Sequence, residues 1–166
     1  MKRYANPYRL ATLVLVLYCL GHTFGALVST PTFSPQSQTV LSAMKSVHFQ
    51  ANGSACTWFG FYLGFGYDVS IFFLFSGVLT WFLGGLSLDE QRRWARVTWA
   101  LFASYAATIV LAVRYFFPVP IVFSSLVTLL LGIQGVRLAR APGDPRQGRT
   151  SSRRADVAVA DVARRK

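Results

Sequence analysis

A chain of 166 residues that is 53% hydrophobic and only 14% charged has too little polar surface to fold as a water-soluble domain. Its net charge of +11 would suit nucleic acid, but the cations gather near the two ends and in one turn between apolar blocks. That distribution argues against specific nucleic-acid binding and fits the positive-inside pattern of a membrane protein.

Residues 1–9 form a basic leader with Lys2, Arg3 and Arg9, and Tyr4 and Tyr8 suit the headgroup layer. Leu10–Val28 follows as a first apolar block, close to the roughly 20 helical residues that one bilayer crossing takes. A basic start before an apolar run imitates a signal peptide, but the length of the run favours an uncleaved span. Pro31 stops this helix, and Thr30–Thr39 reads as an extracytoplasmic loop. Val40, Met44 and Val47 recur on one helical face, so Val40–Phe49 is expected to form a short amphipathic helix at the outer surface. Ala51–Ser54 reads as a turn. Its Asn52-Gly53-Ser54 matches a glycosylation acceptor, which matters only in a eukaryotic secretory pathway.

Trp58–Leu86 is the second block and is longer than one crossing requires, which implies tilt or a projecting first turn. Gly60-x-x-x-Gly64, with Gly66 beyond it, offers a flat strip for close helix packing. Leu88–Arg96 is a short basic turn with Arg92, Arg93 and Arg96, and Asp89 and Glu90 are expected in the first turn of the third helix. Val97–Phe117 and Val119–Leu138 complete the set. The tight Pro118-Val119-Pro120 connection makes these last blocks antiparallel neighbours. The blocks are too long, and lack the period-two alternation, for strands of an outer-membrane barrel.

The expected fold is an all-α membrane protein of four transmembrane helices in an antiparallel bundle, with a short amphipathic helix in the first extracytoplasmic loop. Residues 1–140 form the transmembrane domain. Residues 141–166 form a basic cytoplasmic tail, expected to be disordered in isolation and drawn to anionic lipid or to another protein. Both termini and the Leu88–Arg96 turn are placed in the cytoplasm.

Polar residues within the blocks are the candidates for function, because hydrocarbon tolerates them poorly unless they are partnered or line a cavity. At 1.5 Å per helical residue, His22 lies about 9 Å, Asp68 about 10 Å and Arg114 roughly 5 Å inside the outer face. His48 is positioned to reach the same mouth from the amphipathic helix. Three readings stay open for this cluster: an Asp68–Arg114 bridge with His22 beside it that only sets helix register, a ligand pocket open to the outer leaflet, or proton-transfer catalysis through a His–Asp pair. No local metal signature, CxxC pair or nucleotide loop is present, and His48 lies outside the spans, which weakens a paired-histidine haem site. Cys19 and Cys56 read as unpaired thiols. The aromatic run from Trp58 to Phe75 suits lipid contact or the lining of a pocket for a flat hydrophobe.

Gly21-His22-Thr23-Phe24-Gly25, Met44, Trp58-Phe59-Gly60-Phe61-Tyr62-Leu63-Gly64-Phe65-Gly66 and Gly77-Val78-Leu79-Thr80-Trp81 together resemble the LIC_13387-like family of bacterial four-span integral membrane proteins. The resemblance covers about Leu10–Leu138, implies a bacterial inner-membrane setting and supplies no reaction. It is compatible with His22 and the glycine-rich start of the second helix forming a site, and it says nothing of Asp68. The function expected is an accessory or small-lipophile binding protein, for a lipid or a quinone, without catalysis of its own. The alternative is a membrane enzyme or redox carrier acting on a lipid or quinone through His22, Asp68 and Arg114. No cofactor is predicted beyond a bound lipid or quinone. Membrane lipids, or a membrane protein docking on the helix surfaces or the tail, are the expected partners.

Overall fold

The computed structural model describes residues 6–28 and 34–140. The basic tail at 141–166, most of the leader and Pro31 lie outside the described residues. Four helices are long and apolar enough to cross a membrane: Pro7–Val28, Trp58–Gly85, Ala95–Tyr115 and Pro118–Arg140. The protein is a helical membrane bundle.

The first span is α1 (Pro7–Leu20) running straight into a π-helical segment, Gly21–Val28. It starts earlier than the apolar run because Asn6 caps it. The Asn6 side chain accepts the Tyr8 N–H at 3.0 Å, and Pro7 takes a first-turn position where its missing N–H costs nothing. The helix α2 (Pro35–Ser46) is capped by Ser34, which accepts the Ser37 N–H at 3.3 Å.

The amphipathic helix expected over Val40–Phe49 therefore begins earlier and stops at Ser46. Val47 turns extended at φ −77°, and His48 and Phe49 belong to a strand. That strand, β1 (His48–Ala51), pairs antiparallel with β2 (Ser54–Thr57), with Ala51 opposite Ser54 and His48 opposite Thr57. The turn between them is Asn52-Gly53, with φ of 50° and 82°. Positive φ at both positions gives the twist that two-residue hairpins need, which is why this dipeptide sits there.

Thr57 caps α3 (Trp58–Gly85) by accepting the Gly60 N–H at 3.0 Å. At 28 residues this helix is about 42 Å long, well beyond the roughly 30 Å of hydrocarbon, a length that tilt or a projecting end accommodates. Ser87 then opens a separate helix, α4 (Leu88–Arg93), through a reciprocal capping box with Glu90. Asp89 and Glu90 thus serve α4 and not the third span, a correction to the expected placement. Trp94 breaks the chain direction at φ −92°, ψ 8° before α5 (Ala95–Tyr115), and a tight turn at Phe116 leads into α6 (Pro118–Arg140).

The helix α1 packs between α3 and α6, and α5 packs on α6. The circuit closes where Phe72 of α3 stacks on Tyr105 of α5, with ring centroids 5.5 Å apart. The α3–α5 seam carries less packing than the α1–α3 and α5–α6 pairs. One end of the bundle carries Asn6, α4 and Arg140 and is called here the basic end. The other carries the β-hairpin.

The apolar core runs along the axis through Tyr8, Leu15, Tyr18, Phe73, Leu83, Leu101, Tyr105, Val127 and Leu131. Ser70, Phe73, Ser76, Gly77, Thr80 and Leu83 form the buried stripe of α3, recurring at helical spacing. Many large apolar side chains point outward, including Leu13, Phe65, Ile71, Phe75, Trp81, Val110 and Leu129. Hydrocarbon is the solvent that makes such a surface stable. The buried polar residues described are Ser70, Ser76, Thr80, Gln91, Thr98, Ser124 and Gln134, and none of them carries a charge.

Small residues set how closely the helices approach. A Cβ on Gly135 would stand 2.8 Å from the Trp99 indole, and one on Gly132 would stand 3.1 Å from the Phe102 ring. Gly66 faces Leu27 in the same way, whereas a Cβ on Gly64 meets nothing within 4 Å and the space beside Gly60 holds its own cap, Thr57. Of the expected strip, Gly66 alone packs against another span.

Candidate functional site

His22 stands at the start of the π-helical segment and is half-buried against α3. Its Nδ1 lies 3.0 Å from Ser70 Oγ, and Thr23 donates its hydroxyl to the same Ser70 oxygen at 2.8 Å. Cys19 directs its thiol to the Ser70 carbonyl at 3.4 Å, and the Phe73 ring meets the imidazole edge-on at 5.7 Å. Ser70 is therefore the hub of this corner. The widened turn presents consecutive residues His22 and Thr23 to one serine, and such π segments recur at functional sites.

The Ser70 hydroxyl governs the imidazole tautomer. Ser70 has one hydroxyl proton and two acceptors in reach, His22 Nδ1 at 3.0 Å and the Gly66 carbonyl at 3.3 Å. The hydroxyl can turn to either one, and the imidazole tautomer follows it. With the hydroxyl turned to Nδ1, Nε2 carries the ring proton; no hydrogen bond to Nε2 is seen among the described residues. In that arrangement the corner offers one directed N–H to an acceptor oxygen.

The other expected members are elsewhere. Asp68 lies on the exposed face of α3, two residues from the buried Ser70 and so on nearly the opposite side of the helix. Arg114 is exposed in the last turn of α5. No ion pair between Asp68 and Arg114 forms among the described residues. His48 is exposed on β1 and donates from Nδ1 to the Ser46 carbonyl at 2.9 Å, which ties it to the end of α2 and not to His22. The described residues contain no group of three His, Cys, Asp or Glu placed to hold a metal ion. Cys19 and Cys56 are free thiols.

The sequence singles out His22 but not the residues bonded around it. Thr23 lies within the Gly21–Gly25 motif, whereas Ser70 carries no charge and sits in an apolar run that gives no sequence signal.

Toward the basic end, neutral hydrogen bonds cross between spans. Thr12 and Thr80 hydroxyls meet at 2.9 Å, and Thr80 also returns to the Ser76 and Gly77 carbonyls at 3.0 Å. Tyr8 bonds to Thr98, Gln134 donates to Gln91 at 2.8 Å, and Gln91 donates to the Leu86 carbonyl at 2.9 Å. Asn6 donates to the Gly84 carbonyl at 2.9 Å, and the Arg9 guanidinium lies 3.5 Å over the Trp81 ring, a cation–π contact suited to a membrane interface. On α4, hydrogen bonds from the Ser87 hydroxyl and backbone hold the Glu90 carboxyl below its ordinary range, with Arg93 adding to the effect.

The opposite end is aromatic. Phe49 of the hairpin stacks on Trp58 at 4.6 Å and meets Phe61 at 5.3 Å, and Lys45 of α2 reaches over Phe59 at 4.8 Å. These contacts tie the amphipathic helix and the hairpin to the start of α3.

No family model, curated protein or solved structure matches the chain, so the resemblance carried by the Gly21–Gly25, Trp58–Gly66 and Gly77–Trp81 motifs rests on those residues alone. The chain stands as a four-span helical membrane bundle without a charged or metal-binding cluster among the described residues.

Proposed function

We propose that the protein is a non-catalytic component of a bacterial inner membrane, with both termini cytoplasmic, that holds a small lipophile through His22. The observation that supports this reading is the engaged Nδ1 of His22, which leaves Nε2 beside an outward-facing apolar surface, as a donor when the Ser70 hydroxyl turns to Nδ1. The ligand it fits is a hydrophobe with a carbonyl acceptor, either a quinone ring or the ester of a lipid. Ser70 and Thr23 orient the imidazole, and they do not themselves reach the ligand. The basic tail at 141–166 adds attraction to anionic headgroups, at about 1 kcal/mol per cation near the surface.

Asp68 and Arg114 play no part in this reading because they do not meet His22 or each other. The orientation with the basic end in the cytoplasm follows from the charge asymmetry.

The test uses the full chain in lipid nanodiscs. Decylubiquinone is titrated against tryptophan fluorescence, and co-purifying phospholipid is read in parallel by native mass spectrometry. Loss of one hydrogen bond in hydrocarbon should weaken the bound species about 5–30-fold in His22→Ala. Quenching identifies a quinone and retained phospholipid identifies a lipid. Equal binding by the wild type and His22→Ala, or binding of neither probe, would overturn the proposal.

A further inference from the structure

Arg9 of α1 lies across the last turn of α3. Its guanidinium sits 3.5 Å over the Trp81 ring, and a Cβ on Gly84 would stand 3.4 Å from both its Cδ and its Nε. A Cβ on Gly85 would stand 3.4 Å from its Nη2. The two glycines let a planar cation lie close against the helix, and Trp81 supplies an aromatic face for it. The charge is nevertheless not neutralised. Nη1 is buried without a hydrogen-bond partner, and Arg9 forms no ion pair among the described residues.

The carboxylates of the chain itself do not serve. Asp68 lies about 24 Å from Gly84 along α3, and Glu90 is committed to Ser87. Asp89 is exposed on α4 and makes no ion pair with Arg9. The remaining three, Asp144, Asp156 and Asp161, belong to the tail at 141–166, where seven cations outnumber them. A guanidinium stays charged at every accessible pH, so at the edge of hydrocarbon Arg9 calls for an anion from outside the chain.

The surface that continues from Arg9 selects the kind of anion. Arg9, Leu13, Val16 and Leu20 follow one another at helical spacing on α1, and the three apolar members are exposed. Val16 lies beside Gly77 as Arg9 lies beside Gly84, so this stripe borders the α1–α3 seam from the basic end into the hydrocarbon. A cation at the polar end of an exposed apolar track matches an amphiphile with an anionic head. We propose that this seam binds one anionic phospholipid from the leaflet at the basic end. Its phosphate pairs with the open edge of the Arg9 guanidinium, and an acyl chain lies along Leu13, Val16 and Leu20. Phosphate oxygens match the forked donors of a guanidinium, and basic sites between spans recognise such headgroups. The site lies about 20 Å from His22 along the first span and does not rest on the reading of that corner.

The experiment titrates the full-length protein in detergent with phosphatidylglycerol and with phosphatidylcholine of equal chain length, counting bound lipids by native mass spectrometry. The wild type should take its first phosphatidylglycerol about tenfold more tightly than its first phosphatidylcholine. Arg9→Gln should abolish that preference, and Trp81→Leu, which keeps the charge but removes its aromatic support, should reduce it. Arg96→Gln removes one exposed cation from the same end and should leave the preference within about twofold. His22→Ala should also keep it, so this site and the His22 corner fail separately. Inorganic phosphate at about tenfold excess over the lipid should not displace the phosphatidylglycerol, because it lacks the acyl chains. If Arg9→Gln does not fold, Trp81→Leu decides, and an unchanged preference in that variant would count against the site. No preference in the wild type, or equal losses in Arg9→Gln and Arg96→Gln, would overturn the proposal in favour of diffuse charge attraction. Displacement by inorganic phosphate would overturn it in favour of a free-anion site.

Discussion

Tyr8 and Thr98, 90 residues apart in sequence, share a hydrogen bond between fully buried side chains near the basic end, joining the first span to the third. Neither residue is charged, so the link survives in hydrocarbon without the desolvation penalty of an ion pair. The same logic runs through Thr12–Thr80 and Gln91–Gln134. This bundle fixes its register with neutral donors and acceptors.

Tyr8→Phe keeps the ring and removes the bond, leaving Thr98 unpartnered. The expected loss is about 1 kcal/mol of unfolding free energy, within the range of interhelical hydrogen bonds in membranes. Reversible unfolding in mixed micelles measures it. An unchanged stability would mean that the pair contributes nothing net.

Gly135 and Gly64 should respond to alanine with opposite signs. At Gly135 the new methyl would meet the rigid indole of Trp99 at 2.8 Å, and overpacking costs about 1–3 kcal/mol. At Gly64 the space is open, and the better helix propensity of alanine contributes about 0.5–1 kcal/mol. The same unfolding assay on both variants gives the comparison, with Gly64→Ala as the internal control.

The Ser87–Glu90 capping box predicts a dependence on pH. The Glu90 carboxyl is held below its ordinary range in the folded protein, chiefly by the Ser87 hydroxyl and then by the Ser87 backbone N–H. A carboxyl lowered on folding adds stability that is present above its unfolded pKa and lost as pH falls through the folded one. Melting temperatures below about pH 5 should therefore fall less steeply in Glu90→Gln than in the wild type. Because the group is exposed, added salt should weaken the contribution from Arg93.

Asp68 and Arg114 should behave as independent residues. A double-mutant cycle with Asp68→Asn and Arg114→Leu is expected to give a coupling energy under about 0.5 kcal/mol, the limit for sites without a shared contact. A larger favourable coupling would show that the two side chains pair in the membrane.

The spans were legible in the sequence because uninterrupted apolar length is a strong signal, and the Pro118-containing connection correctly implied that α5 and α6 are antiparallel. Helix rotation was not legible. The second span is apolar around its whole circumference, so hydropathy could not tell that Ser70 and Thr80 face inward while Asp68 faces out. Charge drew attention to Asp68 and Arg114, whereas the residues that meet across the bundle are serines, threonines and tyrosines that hydropathy hardly registers. The β-hairpin was hidden for another reason. Asn52-Gly53 was visible as a turn, but strands of four residues are too short to show alternation beside the helical spacing of Val40, Met44 and Val47. The π-helical segment around His22 has no sequence signature at all, since a widened turn is set by what the helix packs against.

That this chain crosses a membrane between its β-hairpin and its basic end is tested most directly by sided cysteine labelling. With Cys19 and Cys56 replaced by alanine, Gln50→Cys on the hairpin and Asp89→Cys on α4 occupy exposed positions at opposite ends of α3. A membrane-impermeant maleimide should label Gln50→Cys in intact cells and Asp89→Cys only in inverted vesicles. Labelling of both positions from the same side would contradict the four-span architecture.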